Sequence, residues 1–465
     1  MAVLLYPVLL KKLPKDADAA QRKAHKAAKI QRRKIATLSL AVIMAVELLL
    51  NVINFGLIFP YTGISNYPSG LEDASAVISY METLESDTLF YRAETAHSQT
   101  LNDGALNGYN GISTFTSSAN VRVTEFMKAL GYGAKNTYNR YCFEESSPVA
   151  NLFLNLKYMI DRNGVAKENR YFDDVYSSGN VHLLQNNAYL PLGFLADIQL
   201  TNIDFAKPGN TFTFQDNLLA TASGIREKVW ERVTKDQVQI TSEDVQIVTK
   251  SGAGYCTYKA GNASGTVTYL ISPRTSGFLC IDLNLPKRNS FKVSLNGQLL
   301  YSETYSLPQA LAVADVKPGD VVQIDLTCKA KEESNITVTA ALIDDEVFQK
   351  AYEVLAASTL ELTKFSNTLV EGTIDCNRDG LLYTSIPQDG NWSAKVDGKD
   401  TDIVLIGDAM IGIPMTQGNH TVTFTYHNAA FALGWKISLL CAVTFVLIAV
   451  LVYKPRRRKG KYERV

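Results

Sequence analysis

The sequence predicts a membrane-anchored α+β protein. Two transmembrane helices bracket a large external region, in which an α/β domain is followed by β-sandwich modules. Three observations predict this. Apolar segments run over 35–59 and 429–453, each long enough to cross a hydrocarbon core of about 30 Å as a helix. Both face basic ends: ten Lys/Arg against two Asp over 11–34, and seven against one Glu over 454–465. Between them the residue pattern passes from mixed helix and strand to short β-branched runs separated by turn signals.

The basic flanks place both termini in the cytoplasm and residues 60–428 outside. They read as topology determinants, and they also suit an anionic inner leaflet at about 1 kcal/mol per near-surface cation. Outside the two flanks, 29 basic residues face 43 acidic ones, which argues against nucleic acid as a partner and leaves membrane lipid. The apolar start, Met1 to Leu10, is too short to span and lacks the features of a signal peptide. It reads as an interfacial anchor or as the end of a helix of a longer polytopic protein. Glu47, Asn51 and Asn54 fall on one face of the first span. Such an intramembrane polar face is expected to meet other helices, of a longer protein or a partner subunit, or to be satisfied locally.

The expected divisions are a basic segment 1–34, a span 35–59, an α/β domain 60–235, a sandwich 236–345, a helix with a small β module 346–428, a span 429–453 and a basic tail 454–465. Helical spacing marks 76–84, 121–130, 215–233 and 345–357. Extended segments are expected at 88–93, 155–161 and 181–184. Seven strands are expected between 237 and 342, with Asn296-Gly297 as a hairpin turn. Cys256, Cys280 and Cys328 fall on strands and read as small core residues, leaving a disulfide open. No metal-ligand spacing and no glycine-rich phosphate loop stands out, so no cofactor is expected.

Several separated motifs resemble the YfhO-like family of bacterial membrane proteins. They are Phe90-Tyr91-Arg92-Ala93-Glu94, the Asn-rich stretch Asn102 to Asn110, Ser117-Ser118 before Leu130-Gly131, Leu154 to Ile160, and Tyr189 to Phe194. Gly390-Asn391-Trp392, Val396-Asp397-Gly398 and Gly418-Asn419-His420 resemble its closing β module, and residues 47–54 its span. The resemblance implies a multi-pass protein of the bacterial cell membrane, similar to glycosyltransferases of the GT-C type. Its implied partners are a polyprenyl-phosphate sugar and lipoteichoic acid. It also implies that the catalytic acid belongs to helices preceding this point, so no catalytic residue is expected here and the role left is acceptor binding or scaffolding. A non-catalytic envelope protein that binds glycan is the alternative; a transporter accessory fits poorly with so few polar residues in the spans.

The candidate glycan or phosphate site is Arg92, Glu94, Asn102, Asn107, Tyr109, Asn110, Ser117 and Ser118. Arginine supplies a planar fork for phosphate, and Asn and Tyr pair with hydroxyls. The same residues equally build a structural network, turns and a helix N-cap at Ser118 or Asn120. Trp392 and Tyr383 read as core rather than a sugar platform.

Overall fold

Helix α1 (Ala19–Ile58) is one continuous element of 40 residues. At about 1.5 Å per residue it is about twice as long as a hydrocarbon core is thick, so its basic first half extends past any span. The computed structural model describes residues 18–58, 71–96, 100–134, 139–162, 169–205, 209–286, 289–304 and 307–452. The apolar start, the turn-rich 59–70 and the basic tail lie outside them. The chain forms two units, 1–69 and 70–465. Among the described residues two helices, α1 and one near the C-terminus, are long and apolar enough to cross a membrane.

In the second unit, α2 (Leu71–Leu84) packs on a mixed sheet. The next elements are β1 (Arg92–Ala96), α3 (Asp103–Asn107), β2 (Thr114–Phe115), α4 (Val121–Ala129), β3 (Gly133–Ala134) and β4 (Arg140–Cys142). After them come α5 (Pro148–Phe153), β5 (Leu156–Asp161), β6 (Phe172–Ser178), β7 (Val181–Asn186), β8 (Gly193–Ala196) and α6 (Thr211–Ser223). The main sheet has the order β1-β5-β7-β6, with β1 and β5 parallel. Asn120 caps α4, its side chain accepting the Arg122 amide at 3.0 Å. The helix expected at 215–233 is instead α6. Asn210 caps its start, and Gly224, at φ 80°, ends it in the left-handed conformation that favours glycine. Trp230, inside the range expected to be helical, opens a strand instead.

That strand is β9 (Trp230–Arg232), and a β-sandwich follows it. Its strands are β10 (Val238–Glu243), β11 (Val245–Ser251), β12 (Tyr255–Ala260), β13 (Gly265–Ile271), β14 (Gly277–Asn284), β15 (Ser290–Leu295), β16 (Gln298–Thr304), β17 (Gln309–Val316), β18 (Val322–Cys328) and β19 (Glu333–Ile343). One sheet runs β10-β13-β18-β15-β16 and the other β11-β12-β19-β14-β17, with β9 on β19. Strands β10 and β11 are separated only by Asp244, whose φ of 58° passes the chain from one sheet to the other. Asn296 and Gly297, at φ 51° and 84°, make the expected tight turn between β15 and β16.

Helix α7 (Asp345–Ala356), capped by Asp344, leads to a second β unit. It comprises β20 (Glu361–Ser366), β21 (Leu369–Cys376), β22 (Gly380–Pro387), β23 (Trp392–Val396), β24 (Lys399–Thr401), β25 (Val404–Ile406), β26 (Met410–Met415) and β27 (Gly418–Tyr426). One sheet is β20-β21-β27-β23-β24. The other, β25-β26-β22-β8, takes its edge strand from far upstream. Strand β8 thereby joins a segment near residue 195 to one near residue 382. Helix α8 (Ala429–Val452) follows β27, and its apolar side chains are exposed, Phe431 and Phe445 above 70%.

The cores differ in how they are assembled. The sandwich core draws its buried residues from Val233 to Leu342. The largest core draws on residues from Ala96 to Met410, and a third from Leu192 to Phe424. All six cysteines are free, and the five outside α8 are buried, as small core residues are expected to be.

Candidate functional site

Three short segments meet where β1 and β5 begin. The first is Phe90-Tyr91-Arg92. The Arg92 guanidinium donates to the Leu154 carbonyl at 3.0 Å, to Ser385 Oγ at 2.6 Å and to the Ser385 carbonyl at 3.0 Å. It also lies 5.2 Å from the centre of the Phe90 ring, which stacks on Phe365. Arg92 therefore ties β1 to the turn before β5 and to β22, in the far C-terminal sheet. Among the described residues no carboxylate pairs with it. Burial lowers its pKa, and Tyr383, Tyr141, Tyr189 and Tyr132 surround it.

The second segment is the turn into β5. Asn155 adopts φ 58°, a conformation Asn tolerates better than most residues. Its amide donates to Tyr189 Oη and to the Leu190 carbonyl, both at 3.0 Å. The third segment is thus Tyr189-Leu190, just ahead of β8. Beside this junction Lys157 pairs with Glu85 at 2.6 Å, with the Tyr189 ring 5.2 Å away. Burial pushes the Glu85 carboxyl up, but hydrogen bonds from Lys157, Thr88 and Tyr158 outweigh it and hold the pKa below the ordinary value.

The rest of the expected cluster lies on β1 at Glu94 and in residues 102–118 after it, and most of it serves the backbone. Glu94 is 2% exposed, and its carboxylate accepts the amides of Ile112 and Ser113 in short hydrogen bonds. Burial pushes its pKa up to about 7, against those amides. Asn102 pairs with Phe115 in both directions, donating at 3.1 Å and accepting at 2.8 Å. Asn107 donates to the Asp103 carbonyl at 2.9 Å and Asn110 to the Tyr91 carbonyl at 3.3 Å. The Tyr109 hydroxyl meets Thr95 Oγ1 at 2.7 Å. Ser117 is exposed, and Ser118 is hydrogen bonded to Thr116. Glu47, Asn51 and Asn54 all lie exposed on α1.

A second clasp closes the C-terminal sheet. His420 Nδ1 meets Asp397 Oδ2 at 2.8 Å, and its Nε2 meets the Thr416 carbonyl at 3.0 Å. Asp397 also accepts the Thr421 amide at 2.9 Å. The Val396-Asp397-Gly398 and Gly418-Asn419-His420 motifs therefore touch.

Over residues 3–438 the sequence matches the family model of the bacterial membrane protein YfhO. The chain belongs to the YfhO family. The motifs that carry the family resemblance are thus largely the places where distant parts of this YfhO-family chain are fastened together. Sequence reasoning singled out Arg92 but missed Glu85, Asn155, Lys157 and Tyr189. The available signal was that Asn155, Lys157 and Tyr189 stand inside two of the quoted motifs.

No curated protein matches the chain. Among solved structures, a low-affinity xylan-binding module from Roseburia intestinalis is similar at 9% identity over 26% of this chain and 98% of its own, with a TM-score of 0.20. A Paenibacillus cycloisomaltooligosaccharide glucanotransferase is similar at 8% identity over 43% of this chain and 46% of its own, TM-score 0.18. An Eisenbergiella tayi β-galacturonidase gives 9%, 43% and 38%, with a TM-score of 0.17. The chain spans less than half of both enzymes, and likenesses this slight carry no function. Among the described residues no group of His, Cys, Asp and Glu is arranged to hold a metal ion.

Proposed function

We propose that this chain is the membrane and extracytoplasmic part of a cell-envelope glycosyltransferase-like protein, and that it positions an acceptor rather than carrying out sugar transfer. Membership of the YfhO family supports the envelope role. The proposed topology has both termini in the cytoplasm and the β-rich region outside. The donor is a polyprenyl-phosphate sugar and the acceptor lipoteichoic acid. One observation carries the non-catalytic reading. Glu94, the carboxylate of the candidate cluster, is buried and already committed to backbone amides, so it has no free face from which to act as a base on a substrate.

The test uses the full chain in lipid nanodiscs with a polyprenyl-phosphate sugar and lipoteichoic acid. Retention of lipoteichoic acid without glycosylated product is expected. Product formation that depends on a carboxylate of this chain overturns the reading. Failure to retain lipoteichoic acid while other envelope proteins bind would make the chain a scaffold. A cysteine placed at Asp389 is expected to react with impermeant reagent on intact cells, and one at Lys459 to stay unreacted.

A further inference from the structure

Strand β27 runs into α8 with almost no connecting chain. Its last residue is Tyr426, and the helix starts at Ala429. A step of three residues spans at most about 10 Å. The connection is also held at every position. The Tyr426 amide donates to the Thr368 carbonyl and the His427 amide to the Asn391 carbonyl, both at 2.9 Å. The turns that open β21 and β23 thus grip the chain from both sides. Asn428 then caps the helix, its Oδ1 accepting the Phe431 amide at 2.8 Å and its carbonyl the Ala432 amide at 3.0 Å. The second β unit is therefore fixed in orientation on α8, with one of its ends at the start of the helix.

That end is made of segments 366–368, 389–392 and 426–428. They hold one carboxylate, Asp389, and no Lys or Arg. Trp392 and Tyr426 stand opposite each other where β23 pairs with β27, their ring centres 5.1 Å apart, edge to face. Trp392 packs against the third core, yet both rings stay partly exposed. The Tyr426 hydroxyl donates to Asp389 at 2.7 Å, whereas among the described residues no acceptor meets the Trp392 indole N–H. Phe431 and Trp435 continue the aromatic series down one face of α8, at i and i+4, and are 74% and 51% exposed. Rings with an apolar body and a polar tip collect at the membrane–water interface. The headgroup layer adds about 5–8 Å on each side of the hydrocarbon, close to the reach from Ala429 to Tyr426.

We propose that this end of the second β unit is a lipid-docking surface, with Trp392 and Tyr426 lodged among the headgroups and ester carbonyls of a net-neutral lipid face. The Trp392 indole donates to lipid oxygens, and the short, bonded connection to α8 keeps the pair at that level. With one carboxylate and no cation, the surface has no electrostatic hold on anionic lipid. The inference rests on the proposed crossing of the membrane by α8. It goes beyond acceptor positioning, because it says which end of the β-rich region faces the bilayer.

The test reads tryptophan emission from the full chain in phosphatidylcholine nanodiscs doped with nitroxide lipid, the nitroxide either on the headgroup or deep in the acyl chain. The chain has three tryptophans, and Trp230 is buried at 2% exposure. W435F leaves Trp392 to report, W392F leaves Trp435, and W392F/W435F gives the Trp230 background. Headgroup nitroxide is expected to quench Trp392 at least about twofold, and acyl-chain nitroxide less, with no change in high salt. Quenching of Trp435 by lipid nitroxide is expected too, and it reads the placement of α8 in the bilayer. Trp435 quenched while Trp392 stays at background overturns the docking alone. Trp435 unquenched overturns the crossing, and the docking with it. Quenching of Trp392 that vanishes in high salt overturns the assignment to a net-neutral face.

Discussion

The sandwich of β10–β19 and the assembly around Arg92 are both densely packed, but they are built on opposite plans. The sandwich core comes from one contiguous stretch of chain, within which β11–β12 and β15–β16 pair as hairpins through short turns. The Arg92 assembly joins residues 62 and 293 positions apart through a single guanidinium. Local plans leave their record in residue periodicity, whereas long-range plans leave it in isolated motifs. The two meet at β17, the edge strand of its sheet. Its Ala310 and Ala312 amides donate at 2.8 Å to the carbonyls of Gly131 and Glu145, so the edge is covered by the other region rather than left open.

The sharpest way to break the comparison is at Arg92. Arg92→Lys keeps the charge and loses the fork, and is expected to cost about 4 kcal/mol because three hydrogen bonds from a charged donor depend on it. Hydrogen exchange should show the loss in β1, β5 and β22, with the sandwich strands still protected. A variant that loses lipoteichoic acid retention at an unchanged melting temperature would instead make Arg92 a ligand-binding group.

Glu94→Gln tests the same region with the opposite sign. The folded pKa of about 7 stands above the ordinary glutamate value of 4.5. The contribution is therefore fully present below pH 4.5 and is lost as pH rises through 7. Glutamine stays neutral and still accepts the two amides. Its advantage over the natural protein should grow across that window to at most about 3 kcal/mol, measured by denaturant unfolding at pH 5 and pH 8. A pH-independent difference would refute the buried-carboxyl account.

Gly131→Ala tests the joint between the regions. Gly131 sits at φ 93°, and a Cβ there would meet Thr211 Cγ2 at 2.7 Å and Ala310 Cβ at 3.0 Å. A loss of about 2 kcal/mol is expected, with faster exchange at the Ala310 and Ala312 amides. The smallest effect belongs to the C-terminal clasp. Asp397 is held below its ordinary pKa by the His420 hydrogen bond and the Thr421 amide. Its contribution is present at neutral pH and fades as pH falls through the folded pKa. His420→Ala should lower the melting temperature slightly at pH 7, and by less in acid.

The sequence made the sandwich legible because its strands alternate and its turns carry Asn-Gly and Pro-Gly. Even there β16 and β17 escaped, the first being too polar and the second too rich in alanine to stand out as β-branched runs. Helices α2, α4 and α7 were read within a few residues, while α6 was placed too late because the capping role of Asn210 and the stop at Gly224 were passed over. The site was legible only as a set of motifs. Nothing in Phe90-Tyr91-Arg92 indicates that its acceptor is Ser385, because that pairing exists only after the fold closes. The commitment of Asn102, Asn107 and Asn110 to nearby carbonyls was open to sequence reasoning as a structural alternative, and the structure realises it.

Strand β8 has a consequence for biosynthesis. It pairs with β22, made more than 180 residues later, an interval of roughly ten to forty seconds at about 5–20 residues per second. For most of that time the nascent chain holds an apolar strand with no partner, since the segment 358–360 that bonds its other edge is itself made late, while the sandwich between them has all its own strands to hand. The ribosome is then within about 45 residues of starting α8. A chain halted before β22 would carry a finished sandwich beside an exposed edge ready for chaperones or proteases.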